Sequence, residues 1–138
     1  MWDVSGTKEH WQKADTDQVW CAVLSPDGET LATANRAGMI QLRDPATGEI
    51  QKSWSGRQGA IKCLAYSPDG RTLASGGDDK MIRLWTTKGE LLLTLEGHGG
   101  PVNGLAFAPD SLTLASVSHD HTVRLWRGSS PADNVPAK

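Results

Sequence analysis

Apolar and polar positions alternate in short runs along most of this chain. In the run from Met81 to Trp85, Met81, Arg83 and Trp85 point one way, and Ile82 and Leu84 the other. The apolar run before it starts at Leu73, and Gly76, Gly77, Asp78 and Asp79 mark a tight turn between the two. Near-copies of this two-strand unit run from Leu31 to Arg43 and from Leu114 to Trp126. The pattern predicts strands a to d at about 19–24, 30–34, 38–43 and 49–54. A second set falls at about 61–66, 72–76, 81–85 and 90–95, and a third at about 102–107, 113–117 and 122–127. One more outer strand, centred on Trp11, is expected over Glu9 to Ala14.

The copies are in register. Val19, Ile61 and Val102 lie 42 and 41 residues apart. The same steps relate Ser25-Pro26-Asp27-Gly28 to Ser67-Pro68-Asp69-Gly70 and to Ala108-Pro109-Asp110-Ser111. They also relate Leu42-Arg43 to Leu84-Trp85 and Leu125-Trp126. A period of about 40 to 45 residues with four strands per unit is the signature of a propeller blade. Gly97-His98, the Ser-Pro-Asp-Gly turns, Leu-Ala-Ser, a turn Asp and Arg-Leu-Trp together resemble the WD-repeat family over residues 19–127. The resemblance implies an all-β chain of about three blades, each an antiparallel four-stranded sheet, and an incomplete ring unless the protein is oligomeric.

Residues 1–18 then read as the end of a preceding blade, with Trp2-Asp3 closing its third strand, plus an outer strand d. Repeat 1 spans 19–60, repeat 2 spans 61–101, and repeat 3 spans 102–127 without its own strand d. Residues 128–138 read as a disordered tail, rich in Ser, Pro and Ala. The resemblance implies that the leading strand d would close the last blade of a full ring. Propellers have about four to eight blades, so three cannot close alone. The end blades would expose apolar faces that call for neighbours. Two chains joined head-to-tail would give six blades and three would give nine. Alternatively the chain is a piece of a longer propeller. Trp2-Asp3 duplicates Trp126-Arg127 in register, as a cut from a tandem array would.

The resemblance also implies a buried hydrogen-bond chain in each blade. Its members are a His in the d–a loop, a Ser or Thr on strand b, an Asp in the b–c turn and a Trp on strand c. Repeat 3 matches it with His98, Ser116, Asp120 and Trp126. Repeat 2 keeps Ser75, Asp79 and Trp85, with Arg57 at the His position. Repeat 1 keeps only Thr33; Asp15, Ala37 and Arg43 replace the His, Asp and Trp. Asp15 and Arg43 are expected either to form a substitute ion pair or to face solvent. The Ser-His-Asp set superficially suggests a hydrolase. No nucleophile elbow accompanies the Ser, and the Asp sits in a hairpin turn, so no enzyme is expected.

Local chemistry supports the blades. Pro26 and Pro68 fit the second position of type I turns, and Gly28 and Gly70 the left-handed position after them. Ser111 replaces that Gly, at a cost on the order of 1 kcal/mol if φ stays positive. Strand a supplies core residues: Val19, Ala22 and Leu24; Ile61, Leu64 and Tyr66; Val102, Leu105 and Phe107.

Composition narrows the partners. The 138 residues carry a formal charge of −2, so no basic field argues for nucleic acid. No apolar run approaches the ~18 residues that span a bilayer. Met1-Trp2-Asp3-Val4 is unlike a signal peptide, which makes the cytoplasm the expected location. Cys21 and Cys63 share one slot in successive repeats and read as small, reduced, buried residues of strand a. His119 and His121 bracket Asp120 with no third ligand, and Asp78-Asp79 lacks the spacing of a calcium loop. No metal or cofactor is expected.

Function is then expected at the rim, because blades are scaffolds and loops carry contacts. The resemblance implies docking on the face made of d–a and b–c loops. Candidates there are Arg36, Asp78 and His119 before the turns, and Trp20, Lys62 and Asn103 near the start of strand a. Trp20 is the best anchor, since Trp and Arg dominate interface hot spots. The reading is a non-enzymatic scaffold for protein–protein interaction, its neighbours being copies of itself or the rest of a longer propeller. The alternative is an oligomeric ring binding a small ligand or glycan between blades.

Overall fold

The computed structural model describes residues 9–128. The expectations for Trp2-Asp3 and for the tail beyond Gly128 fall outside these residues. Eleven strands are present among the described residues, in three antiparallel sheets. Blade one holds β1 (Val19–Leu24), β2 (Leu31–Asn35), β3 (Met39–Arg43) and β4 (Ile50–Ser55) in that spatial order. Blade two repeats it with β5 (Ile61–Tyr66), β6 (Thr72–Gly77), β7 (Ile82–Thr86) and β8 (Leu91–Leu95). Blade three has β9 (Val102–Phe107), β10 (Thr113–Ser118) and β11 (Val123–Arg127). The blades make an open, incomplete ring, and no described helix is long and apolar enough to cross a membrane.

One strand expectation is corrected. Residues 9–14 are not a strand. A strand needs a partner's hydrogen bonds, and the sheet that would supply them is not among the described residues.

Why these residues form these blades is visible in the turns. Gly28 and Gly70 both adopt φ of 73°, and each N–H closes the turn on the carbonyl of Ser25 or Ser67. The Ser25 and Ser67 hydroxyls bridge Asp27 and Asp69 to the amides of Thr30 and Thr72. Ser111 does hold a positive φ, 60°. Its hydroxyl accepts the Asp69 amide of the neighbouring blade at 3.2 Å, which offsets part of the strain.

The core lies between blades. Ala32, Ala34, Ile40 and Leu42 of blade one meet Ile61, Leu64, Tyr66, Leu73 and Trp85 of blade two. Blade two presents Cys63, Ala74 and Ile82 to Val102 and Leu114 of blade three. The thiols lie in these seams. Cys21 Sγ is 3.9 Å from the Ile61 carbonyl and Cys63 Sγ 3.6 Å from that of Val102, each in the next blade. Burial pushes the Cys21 thiol up to about 11 and the Cys63 thiol up to about 12, so both stay protonated.

The expected strand-a core is therefore uneven. Ile61, Leu64, Tyr66 and Val102 are buried, Leu105 and Phe107 are half-buried, and Val19 and Leu24 are exposed. Strand a is covered by the blade before it, and no blade precedes blade one among the described residues.

Candidate functional site: a rim held by buried hydrogen-bond chains

In blade three the expected chain is complete. Trp126 Nε1 donates to Ser116 Oγ at 2.8 Å, and Ser116 Oγ lies 2.7 Å from His98 Nε2. His98 Nδ1 lies 2.8 Å from Asp120 Oδ2. An indole N–H only donates and a carboxylate only accepts. Every hydrogen is used when Ser116 donates to Nε2 and Nδ1–H donates to Asp120. Asp120 also accepts from the Gly99 amide, the Thr122 amide and the Thr122 hydroxyl. These bonds, the Thr122 hydroxyl foremost, hold its carboxyl well below the usual range. Ser116 is only 1% exposed.

Blade two corrects the expectation for Arg57. Trp85 Nε1 donates to Ser75 Oγ at 2.9 Å, as predicted, but Ser75 then donates to Gln58 Oε1. Gln58 Nε2 donates to Asp79 Oδ1 at 3.3 Å and to the Met81 carbonyl at 2.9 Å. Arg57 points outward with a φ of 57°, which turns the next residue into the blade. A guanidinium has no acceptor and cannot take the Ser75 proton; an amide, like a neutral imidazole, both accepts and donates. That requirement is the signal by which the sequence could have shown Gln58. Asp79 also accepts from the Met81 amide at 3.1 Å and from Arg83 at 2.5 Å.

Blade one has lost the chain. Thr33 Oγ1 is buried without a partner. Arg43 fills the Trp position, donating to the Gly48 carbonyl at 2.9 Å and to Gln41 Oε1 at 2.8 Å. Asp15 Oδ2 lies 3.7 Å from Arg43 Nη2, an ion pair without a hydrogen bond. Both side chains are buried, so the solvent-facing alternative does not hold. With Ala37 at the turn Asp position, Asn35 takes over one of its bonds, its side chain accepting the Met39 amide at 2.9 Å as Asp79 accepts that of Met81.

The rim is fixed by one backbone bond that all three blades share, with or without a side-chain hydrogen-bond chain beneath it. The amides of Arg36, Asp78 and His119 donate to the carbonyls of Gln18, Ala60 and Pro101 at 2.8, 3.0 and 3.0 Å. Each b–c turn is thereby locked to the start of its own strand a. Of the six candidates, Lys62 and Asp78 are brought into contact within one blade. Lys62 Nζ lies 3.3 Å from Asp78 Oδ1. Arg36 instead reaches Asp17, at 3.8 Å, and Trp20 Nε1 donates to Gln18 Oε1 at 3.3 Å. Trp20 is 42% exposed, and Arg36, Asp78, Asn103 and His119 are exposed too. His121 occupies the left-handed turn position, φ 70°, equivalent to Lys80 and Gly38. Among the described residues no three His, Cys, Asp or Glu cluster in a way that could hold a metal.

On the opposite face two clefts open between blades, of about 420 and 270 Å³. They are repeat equivalents with different chemistry. The first is lined by Asp27, Lys52, Gln51 and Tyr66, the second by Leu93, Leu95, Phe107 and Trp126.

Comparison with known proteins agrees with this architecture. The chain matches the family described as WD domain, G-beta repeat, over residues 6–44, 48–86 and 89–127, and belongs to it. Two similar solved structures are "Structure of U3-55K" and "Crystal structure of RRP9 WD40 repeats". They share 28% and 29% identity with the chain, and both superpose with a TM-score of 0.79 over 91% of it. The chain spans 40% and 39% of their lengths. No curated protein matches the sequence.

Proposed function

We propose that this chain is a non-enzymatic scaffold that binds protein partners through the rim carrying Trp20, Arg36, Lys62, Asp78, Asn103 and His119. The observation that carries the reading is the contrast between frame and surface. The same backbone bond pins the rim in all three blades, while the side chains it presents differ from blade to blade. A rigid frame with non-repeating, exposed aromatic and charged groups suits one asymmetric protein surface. A formal charge of −2 favours protein over nucleic acid. The buried Ser116 supports a non-catalytic role, and a cytoplasmic location is part of the same proposal. A glycan- or ligand-binding ring would repeat one lining between blades, and the two clefts do not.

The test is copurification with three proteins: wild type, a Trp20→Ala/Lys62→Glu/His119→Ala rim variant, and a Glu29→Ala/Arg71→Ala variant of the opposite face. Partners should stay with wild type and the opposite-face variant and be lost from the rim variant, at unchanged melting temperature. Retention by the rim variant would refute the proposal.

A further inference from the structure

We infer that the cleft of about 420 Å³ between blades one and two, on the face opposite the rim, binds a small zwitterion of the free amino acid class through Tyr66, Lys52 and Asp27. Both blades that form it have all four strands, and the site does not depend on the protein-binding role of the rim.

Tyr66 is the residue that points to a ligand. Only 9% of it is exposed, and its ring packs in the core with Leu42, Leu73 and Trp85. It also lines the cleft, and its hydroxyl makes no hydrogen bond with a described residue. Burial, and then the charge of Asp27, push the phenol up to about 12, so the hydroxyl stays a donor. Buried polar groups are as a rule hydrogen-bonded, and this one has only the cleft to turn to. Packing does not explain the oxygen: Phe107 fills the same slot in the cleft between blades two and three.

A second change accompanies it in the same cleft. Lys52 faces Leu42 across β3 and β4, as Leu93 faces Leu84 across β7 and β8. The first cleft therefore carries Lys52 and Tyr66 where the second carries Leu93 and Phe107. Asp27 completes the set. Its Oδ1 accepts from the Ser25 hydroxyl at 2.6 Å and the Glu29 amide at 2.9 Å, which leaves Oδ2 for a ligand. Lys52 and Asp27 line one cleft without forming an ion pair, unlike Lys62 and Asp78, which lie 3.3 Å apart.

The two charges select the ligand. Asp27 repels a simple anion, and Lys52 repels a simple cation. A molecule with both charges satisfies both: its carboxylate takes Lys52 and the Tyr66 O–H, and its ammonium takes Asp27. A neutral sugar has no charge for either. The one aromatic residue of the lining, Tyr66, has its ring in the core, so a sugar finds no open ring face. Because the next cleft is apolar, this is one site and not a repeated series.

Ligand-detected NMR on the 138-residue protein tests this, with the free L-amino acids added singly and with acetate, ethylamine and glucose as controls. At least one amino acid should bind, and the three controls should bind more weakly or not at all. Tyr66→Phe and Lys52→Leu each install the residue that the next cleft already carries, so both variants should fold with melting temperatures close to wild type. Each should weaken amino acid binding at least about tenfold, as loss of a hydrogen bond to a charged group does. Trp20→Ala, on the rim, should leave it unchanged. No binding by any amino acid, equal binding by the folded cleft variants, or tighter binding of a control would overturn the inference, and none of these results bears on the rim.

Discussion

Gln58 takes the Ser75 hydroxyl proton on its amide oxygen and gives an amide proton to Asp79. Those are the two exchanges His98 makes with Ser116 and Asp120 one blade later. A different side chain, delivered by a one-residue shift of the loop, preserves the polarity of the chain from strand c to the turn.

Gln58→Ala should therefore destabilise the protein by about 1 to 3 kcal/mol, because it leaves the buried Ser75 hydroxyl proton without an acceptor. Arg57→Ala, at an exposed position, should change stability by no more than about 0.5 kcal/mol. Denaturant unfolding of the two variants checks this. A larger loss for Arg57→Ala would restore the guanidinium to the role the loop alignment first gave it.

Acid should act through Asp120. Its carboxyl is depressed in the folded protein, so its contribution is complete above the unfolded value of about 3.9 and is lost as pH falls from there toward the lower folded value. Asp120→Asn should remove part of the stability seen at pH 7 and flatten the loss of stability below about pH 4. Melting temperatures from pH 2 to 7 for both proteins would show the difference. Parallel acid limbs would mean that Asp120 titrates alike in both states.

Gly89 meets Trp54 so closely that Gly89→Ala should cost about 1 to 3 kcal/mol, from positive φ and the ring contact together. Adding Trp54→Ala should recover the contact portion, giving a coupling of at least about 0.5 kcal/mol. Thermal unfolding of the cycle measures it. Strict additivity would show that the turn and the ring do not press on one another.

Much of this was legible in the sequence. Spacing alone gave three repeats, and the eleven strands lie within a residue or two of where alternation put them. Ser75 and Trp85, and His98, Ser116, Asp120 and Trp126, were legible because each motif residue keeps its register. What escaped depends on neighbours. The segment 9–14 has strand-like residues but pairs with no described strand, and Val19 reads as core but lies on a side that no described blade covers. Gln58 escaped because alignment by position cannot see that a left-handed Arg57 rotates the next side chain inward.

Among the described residues, blade two alone has all four strands and a blade packed on each side. Backbone amide exchange on the 138-residue chain tests this most directly. β6 and β7 should exchange slowest, at the rate set by global unfolding, and the outward amides of β11 should exchange orders of magnitude faster. Equal protection of β9–β11 and β5–β8 would contradict it.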